Sequence, residues 1–220
     1  MSPLSLPHVG LLGLVLIMLI AMIEVGIIES AYHKLGMSHR AITLLLLLSI
    51  FGSYVNIPVA TLHYAHHVHQ HVYNLSYVPA STEAVLQPGE TIIAINLGGA
   101  VIPILLSAYL LMRIGGILPA IVATAIVTLI VHHFARLVPG AGIAVPTFIP
   151  GIAAAVLAMI LTRERRPAVA YVAGTIGCLL GADILNLGLV ARLHAGMAAI
   201  GGAGTFDGVF VSGIIAVLLA

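Results

Sequence analysis

Seven apolar stretches, each about twenty residues long, constrain this chain more than any motif it carries. A helix needs roughly 20 apolar residues to cross about 30 Å of hydrocarbon. Hydropathy predicts spans over 11–29, 41–60, 92–112, 115–134, 143–162, 168–190 and 203–220. Backbone groups in lipid must satisfy one another, which favours helices for such spans. Composition points the same way: of 220 residues, 61% are hydrophobic and 7% charged, against roughly 25% charged in a soluble domain. A water-soluble fold is excluded, and a formal net charge of +1 leaves no footprint for nucleic acid. The expected fold class is all-α: a polytopic transmembrane helix bundle of about seven spans, with residues 1–220 forming one domain. Its first partner is the lipid bilayer, and a membrane protein or a second copy are the candidates beyond that.

The first apolar run lacks a positive n-region, is long for an h-region and precedes no small-residue cleavage site, so it reads as an uncleaved span. Lysine and arginine then orient the bundle. Lys34 and Arg40 lie between spans one and two, Arg113 between three and four, and Arg163, Arg165 and Arg166 between five and six. All fall on one side, leaving Arg136 and Arg192 on the other. The N-terminus is therefore expected outside and the C-terminus inside. Residues 63–91, free of Lys and Arg, become an external His-rich loop or interfacial helix. Tryptophan is absent, and Tyr32, Tyr73 and Tyr77 near span ends take part of its interfacial place. The single cysteine, Cys178, rules out an internal disulfide.

Polar residues inside the spans carry the functional reading. Asp183 in GCLLGADILNLG and Asp207 in GGAGTFDGVFVSG lie in otherwise apolar, Gly-rich segments. A carboxylate at membrane depth costs several kcal/mol by most measures, so it marks a functional site by default. Counting inward at ~1.5 Å per residue places Asp183 about 6 Å, Asn96 about 8 Å and Asp207 about 9 Å below the outer edge. Close approach of spans six and seven is expected from Gly177 with Gly181 and Gly204 with Gly208. Asn96, Asn186 and Ser212 are the supporting polar groups. Two carboxyls held together split their pKa values, and such a pair can activate water, relay a proton or hold a cation. A purely structural role, with each aspartate bound to backbone or amide groups, is the competing reading.

Five of the eleven histidines fall within 63–71. On a helix, His63, His67 and His71 would share one face, with His66 beside them. His132 and His133 close span four on the same external side. Imidazole is a common ligand of transition metals such as zinc or copper, which makes these six histidines candidate ligands. No HExxH pattern accompanies them, and a solvated, pH-sensitive interfacial helix is the alternative. Glu24 and Glu29 end span one, where they either pair with Lys34 or Arg40 or form an inner gate. Pro103, Pro146 and Pro150 interrupt spans three and five, either as ordinary kinks or as breaks lining a transport path.

The strings INLGGAVIPILLSAYLL, GIAVPTFIPGIAA, YVAGTIGCLLGADILNLG and IGGAGTFDGVFVSGIIAVLLA resemble the prokaryotic multi-span membrane proteins of domain-of-unknown-function family 1614. That resemblance covers the chain from span three onward. It implies an integral protein of the prokaryotic inner (cytoplasmic) membrane, and it carries no activity to transfer. Paired span aspartates also resemble, in architecture alone, the intramembrane aspartyl proteases. Their GxGD motif is not matched, because Thr205 and Phe206 separate Gly204 from Asp207. The leading expectation is an intramembrane hydrolase with Asp183 and Asp207 as general acid and base. A proton-coupled solute or divalent-metal transporter is the alternative, and a non-enzymatic membrane subunit or metal-delivery factor the third.

Overall fold

A computed structural model describes residues 24–71, 82–114, 117–138, 142–146, 148–193, 196–202 and 208–220, with backbone alone over 64–71, 82–88, 114, 142 and 191–193. Asp207 and Gly204 lie outside the described residues.

Helix α1 covers 24–34, and a turn through Gly36, at φ +75°, hands the chain to α2, His39–Gly52. Ser38 caps α2 by accepting the Ala41 N–H at 3.4 Å. Strand β1, Asn56–His71, then pairs antiparallel with β2, Thr82–Asn96, from Asn56↔Asn96 to His71↔Thr82. The register shifts once, between Pro58 and Ala60. A bulge suits Pro58, which has no N–H to give to a ladder.

This hairpin departs from the hydropathy reading, which extends span two to 60, starts span three at 92 and lets 63–71 be helical. Each apolar run is in fact divided, part helix and part strand. The strand parts are rich in β-branched residues (Ile57, Val59, Thr61; Thr91, Ile92, Ile93, Ile95), which fit a pleated surface. Short apolar runs of this kind look alike in either conformation.

A π-helical segment, Leu97–Val101, leads into α3, Ile102–Ile114, followed by α4, Leu118–Phe134. Two short strands, β3 (Arg136–Val138) and β4 (Gly142–Ala144), precede α5, Phe148–Leu161. Helix α6, Arg166–Cys178, runs on into a second π-helical segment, Leu179–Ile184, and a 3₁₀ stretch, Leu187–Leu193. Strand β5, Met197–Ile200, adds to β2 in parallel, Ile92↔Met197 through Ile95↔Ile200. Helix α7, Gly208–Leu219, closes the order.

The centre of the bundle is α6, which packs on α3, α4, α5 and α7. It is buried on every side over Val169–Thr175, as a central helix must be. Its neighbours meet it with small side chains: Ala120 and Ala123 on α4, Ala154 and Ala158 on α5, and Ala216 on α7 are fully buried. Glycine sets the spacing. A Cβ on Gly177 would stand 2.7 Å from Val127, and one on Gly181 2.5 Å from the Thr128 carbonyl, so this pair faces α4 rather than α7. The α5–α6–α7 contact runs instead through Gly151, Gly174 and Gly213. Among the described residues, nothing crowds Gly208.

Large apolar side chains point outward: Leu44 and Phe51 on α2, Leu105 and Met112 on α3, Leu129 on α4, Ile160 on α5. Among the described residues, Arg166–Ile184, at 19 residues, is long and apolar enough to cross a membrane, while the other apolar helices are shorter. The basic side chains of separate turns gather at one end. Lys34, Arg113 and Arg165 line a cavity of about 310 Å³ with Glu164. Lys34 Nζ donates to the Leu218 carbonyl at 2.7 Å, and Arg165 donates to the Arg113 carbonyl. Near this end Tyr32 packs on Tyr171 with ring centroids 6.4 Å apart, and burial pushes the Tyr32 phenol up to about 12.

Candidate functional site

Asn96 ends β2 and is almost completely buried. Its Nδ2 donates to the Ser53 carbonyl at 2.7 Å and to Asn56 Oδ1 at 2.9 Å, while its Oδ1 accepts the Gly99 N–H at 2.7 Å. A flipped amide would set its one oxygen against two oxygens and its NH2 against the Gly99 N–H, so the orientation is fixed by its partners. One side chain thereby ties the end of α2, the start of β1 and the first turn of the π-helical segment before α3. Glycine permits the approach: a Cβ on Gly52 would sit 2.9 Å from the Gly98 nitrogen, and one on Gly98 2.5 Å from the Ser53 nitrogen.

Asp183 lies in the other π-helical segment, half-buried. Its Oδ2 accepts the Gly201 N–H at 2.8 Å. Gly201 adopts φ +85°, which glycine tolerates and other residues rarely do. A Cβ there would stand 2.6 Å from the Ala100 nitrogen, and one on Gly99 would collide with the Gly201 carbonyl. The backbone at 201 is thus wedged between the two π-helical segments, and Ala100 packs with Cys178 and Leu179 behind it. Asn96 and Asp183 occupy one polar junction, joined through Gly99 and Gly201. π-helical turns are rare, and they recur at functional positions because they release backbone groups from the α ladder.

The other predicted residues divide. Asn186 is buried and donates to the Gly181 and Ala182 carbonyls at 2.8 and 3.0 Å, which serves the carbonyls released where the helix changes pitch. Ser212 is buried within α7 and donates back to Gly208 of its own helix. Ser107, on α3, has a buried hydroxyl with no hydrogen-bond partner among the described residues. His63 stands 3.8 Å from Glu90, its partner across the β1–β2 ladder. His132 and His133 are exposed at the end of α4. The side chains of His66, His67 and His71 lie outside the described residues.

Among the described residues, the ligand-type side chains that do converge are Glu29, His33 and His39, whose donor atoms all lie within 4.8 Å of one another. Glu29 therefore pairs with histidine, and not with Lys34 or Arg40 as the sequence suggests. Helical spacing puts Glu29 and His33 one turn apart on α1, a visible signal. The arrival of His39 depends on the turn, which no spacing rule reports.

A family model described as a protein of unknown function, DUF1614, matches residues 50–219. No curated protein and no solved structure matches the chain.

Proposed function

The chain belongs to the DUF1614 family of proteins of unknown function, and from that footing we propose that it is a membrane-embedded carrier of a small inorganic cation, coupled to protons. The observation behind this reading is the meeting of two interrupted helices at Asn96 and Asp183. Carriers bind ions where helices break at membrane depth, because freed carbonyls and helix ends supply partial charge there. Asp183 adds a carboxyl group able to hold a cation or a proton, and Asn96 holds one of the two breaks open. The bilayer part of the proposal rests on the outward apolar faces of α2–α5, far more than water tolerates, and on the basic residues collected at one end. Helices of 12 to 17 residues cover about 18–26 Å at 1.5 Å per residue, and the π-helical segments lengthen α3 and α6.

A second reading, hydrolysis by Asp183 and Asp207, is favoured by Val209, which packs with Cys178 and Leu179 and so keeps the start of α7 beside the end of α6.

The test is flux into proteoliposomes holding a pH-sensitive dye or a divalent-metal dye. Asp183→Asn keeps an acceptor for the Gly201 N–H while removing the charge, so the fold should persist and flux should fall at least tenfold. Wild-type flux in that variant refutes the carrier reading. Absence of flux together with cleavage of membrane peptides establishes the hydrolase.

A further inference from the structure

We infer that Glu29, His33 and His39 form a divalent transition-metal site that clips α1 to α2. The three come from two helices joined by a short turn. Glu29 and His33 share a face of α1, and the left-handed Gly36 with the Ser38 cap brings His39, the first residue of α2, back against them. His39 Nδ1 bonds Glu29 Oε1, and His33 Nε2 lies 3.7 Å from the same oxygen. The two imidazoles meet edge to face, with centroids 4.3 Å apart.

Donor chemistry selects the ion. Two imidazole nitrogens and one carboxylate make a three-ligand set of the kind that holds zinc with a fourth position open. One carboxylate is too few oxygens for calcium or magnesium. Bonds of about 2.0 Å in a tetrahedron set ligand atoms about 3.3 Å apart, so pairs of donor atoms now within 4.8 Å need close by no more than about 1.5 Å. Side-chain rotation supplies that movement, since His33 and His39 are exposed and Glu29 half-exposed. Of the neighbouring cations, Lys34 is turned away to the Leu218 and Val217 carbonyls. Arg40 is exposed to solvent, where its charge is screened.

The site is independent of the carrier reading. It stands beyond the N-terminal end of α2, whose 14 residues put about 20 Å between it and the Asn96 junction. Lys34, Leu35 and Gly36 line the basic cavity, so the metal would sit at the end assigned by charge to the cytoplasm.

The experiment is titration of the full chain with Co²⁺, purified in detergent through a tag without histidine. Tetrahedral Co²⁺ absorbs in the visible, which reports the ligand set as well as binding. One equivalent is expected, removable by a chelator, with affinity reduced at least tenfold in His33→Ala, in His39→Ala and in Glu29→Gln. His63→Ala should retain it. Protection of Cys178 from a thiol reagent, measured alongside, verifies that each variant is folded. A spectrum that persists in folded His39→Ala and Glu29→Gln overturns the assignment. So does wild-type protein that binds no Co²⁺, in which case the trio is only a hydrogen-bonded cluster.

Discussion

Replacing Asn96 by alanine should unlock the junction where three elements end. The Gly99 N–H loses its acceptor in a buried site, and an orphaned buried donor costs about 1–3 kcal/mol. The Ser53 carbonyl and Asn56 Oδ1 lose their donor as well, at roughly 1 kcal/mol of net bonding together. A total near 3 kcal/mol corresponds to a Tm lower by about 6–12 °C for a chain of this length. The sole cysteine, Cys178, provides the assay, because it is buried one residue before the second π-helical segment. A maleimide that fluoresces on reaction follows its exposure as detergent-solubilised protein is heated. Asn96→Asp separates the contributions. It keeps an acceptor for Gly99 but offers no donor to Ser53 or Asn56, and it sets a carboxylate against two oxygens. It should therefore fall as far as alanine does. A Tm within 2 °C of wild type for either variant would refute the account.

Gly201→Ala asks a left-handed backbone to carry a Cβ and puts that Cβ 2.6 Å from the Ala100 nitrogen. The left-handed conformation costs about 1–2 kcal/mol and overpacking 1–3 more, so the thiol assay should show a Tm loss like that of Asn96→Ala, and an unchanged Tm would remove Gly201 from the junction. Tyr32 predicts an alkaline limit. Its phenol is raised from 10.0 to about 12 in the fold, so its contribution is complete below pH 10 and is lost between 10 and 12 as the unfolded chain ionises first. Tyr32→Phe should lose less Tm than wild type between pH 9 and pH 11, and equal losses would contradict the burial.

Hydropathy placed helices α4, α5, α6 and α7 near their observed positions because each is a single apolar run closed by a turn or a charge. The same averaging hid the hairpin. Within 41–60 the helix stops at Gly52, and the strand starts four residues later at Asn56, inside one window that averages apolar. Depth counting set Asn96 and Asp183 at nearly one level, and they do share a junction. Their coupling through Gly99 and Gly201 was not legible, since it depends on a parallel strand, β5, pairing across a hundred residues of chain. Nor was the partner of Gly177 and Gly181. A small-residue pair announces close approach without naming the helix that approaches. The Glu29–His33–His39 trio illustrates a third limit: two of its members obey a helical spacing, and the last is delivered by one glycine in a turn.

The alanines around α6 have a consequence for how this chain tolerates change. At the contacts where α4, α5 and α7 meet α6, the buried Ala120, Ala123, Ala154, Ala158 and Ala216 leave little for truncation to hollow out, while Val127, Tyr171 and Val217 are among the larger buried side chains beside them. Contraction, the common injury of soluble interiors, finds little to remove here. Growth meets the opposite condition, because a single methyl on Gly174 or Gly213 already intrudes on a neighbouring helix. At these contacts the interior therefore sits against a one-sided wall: substitutions that enlarge it are penalised. Variants that endure should cluster on the apolar exterior, where one large side chain replaces another without meeting a neighbouring helix.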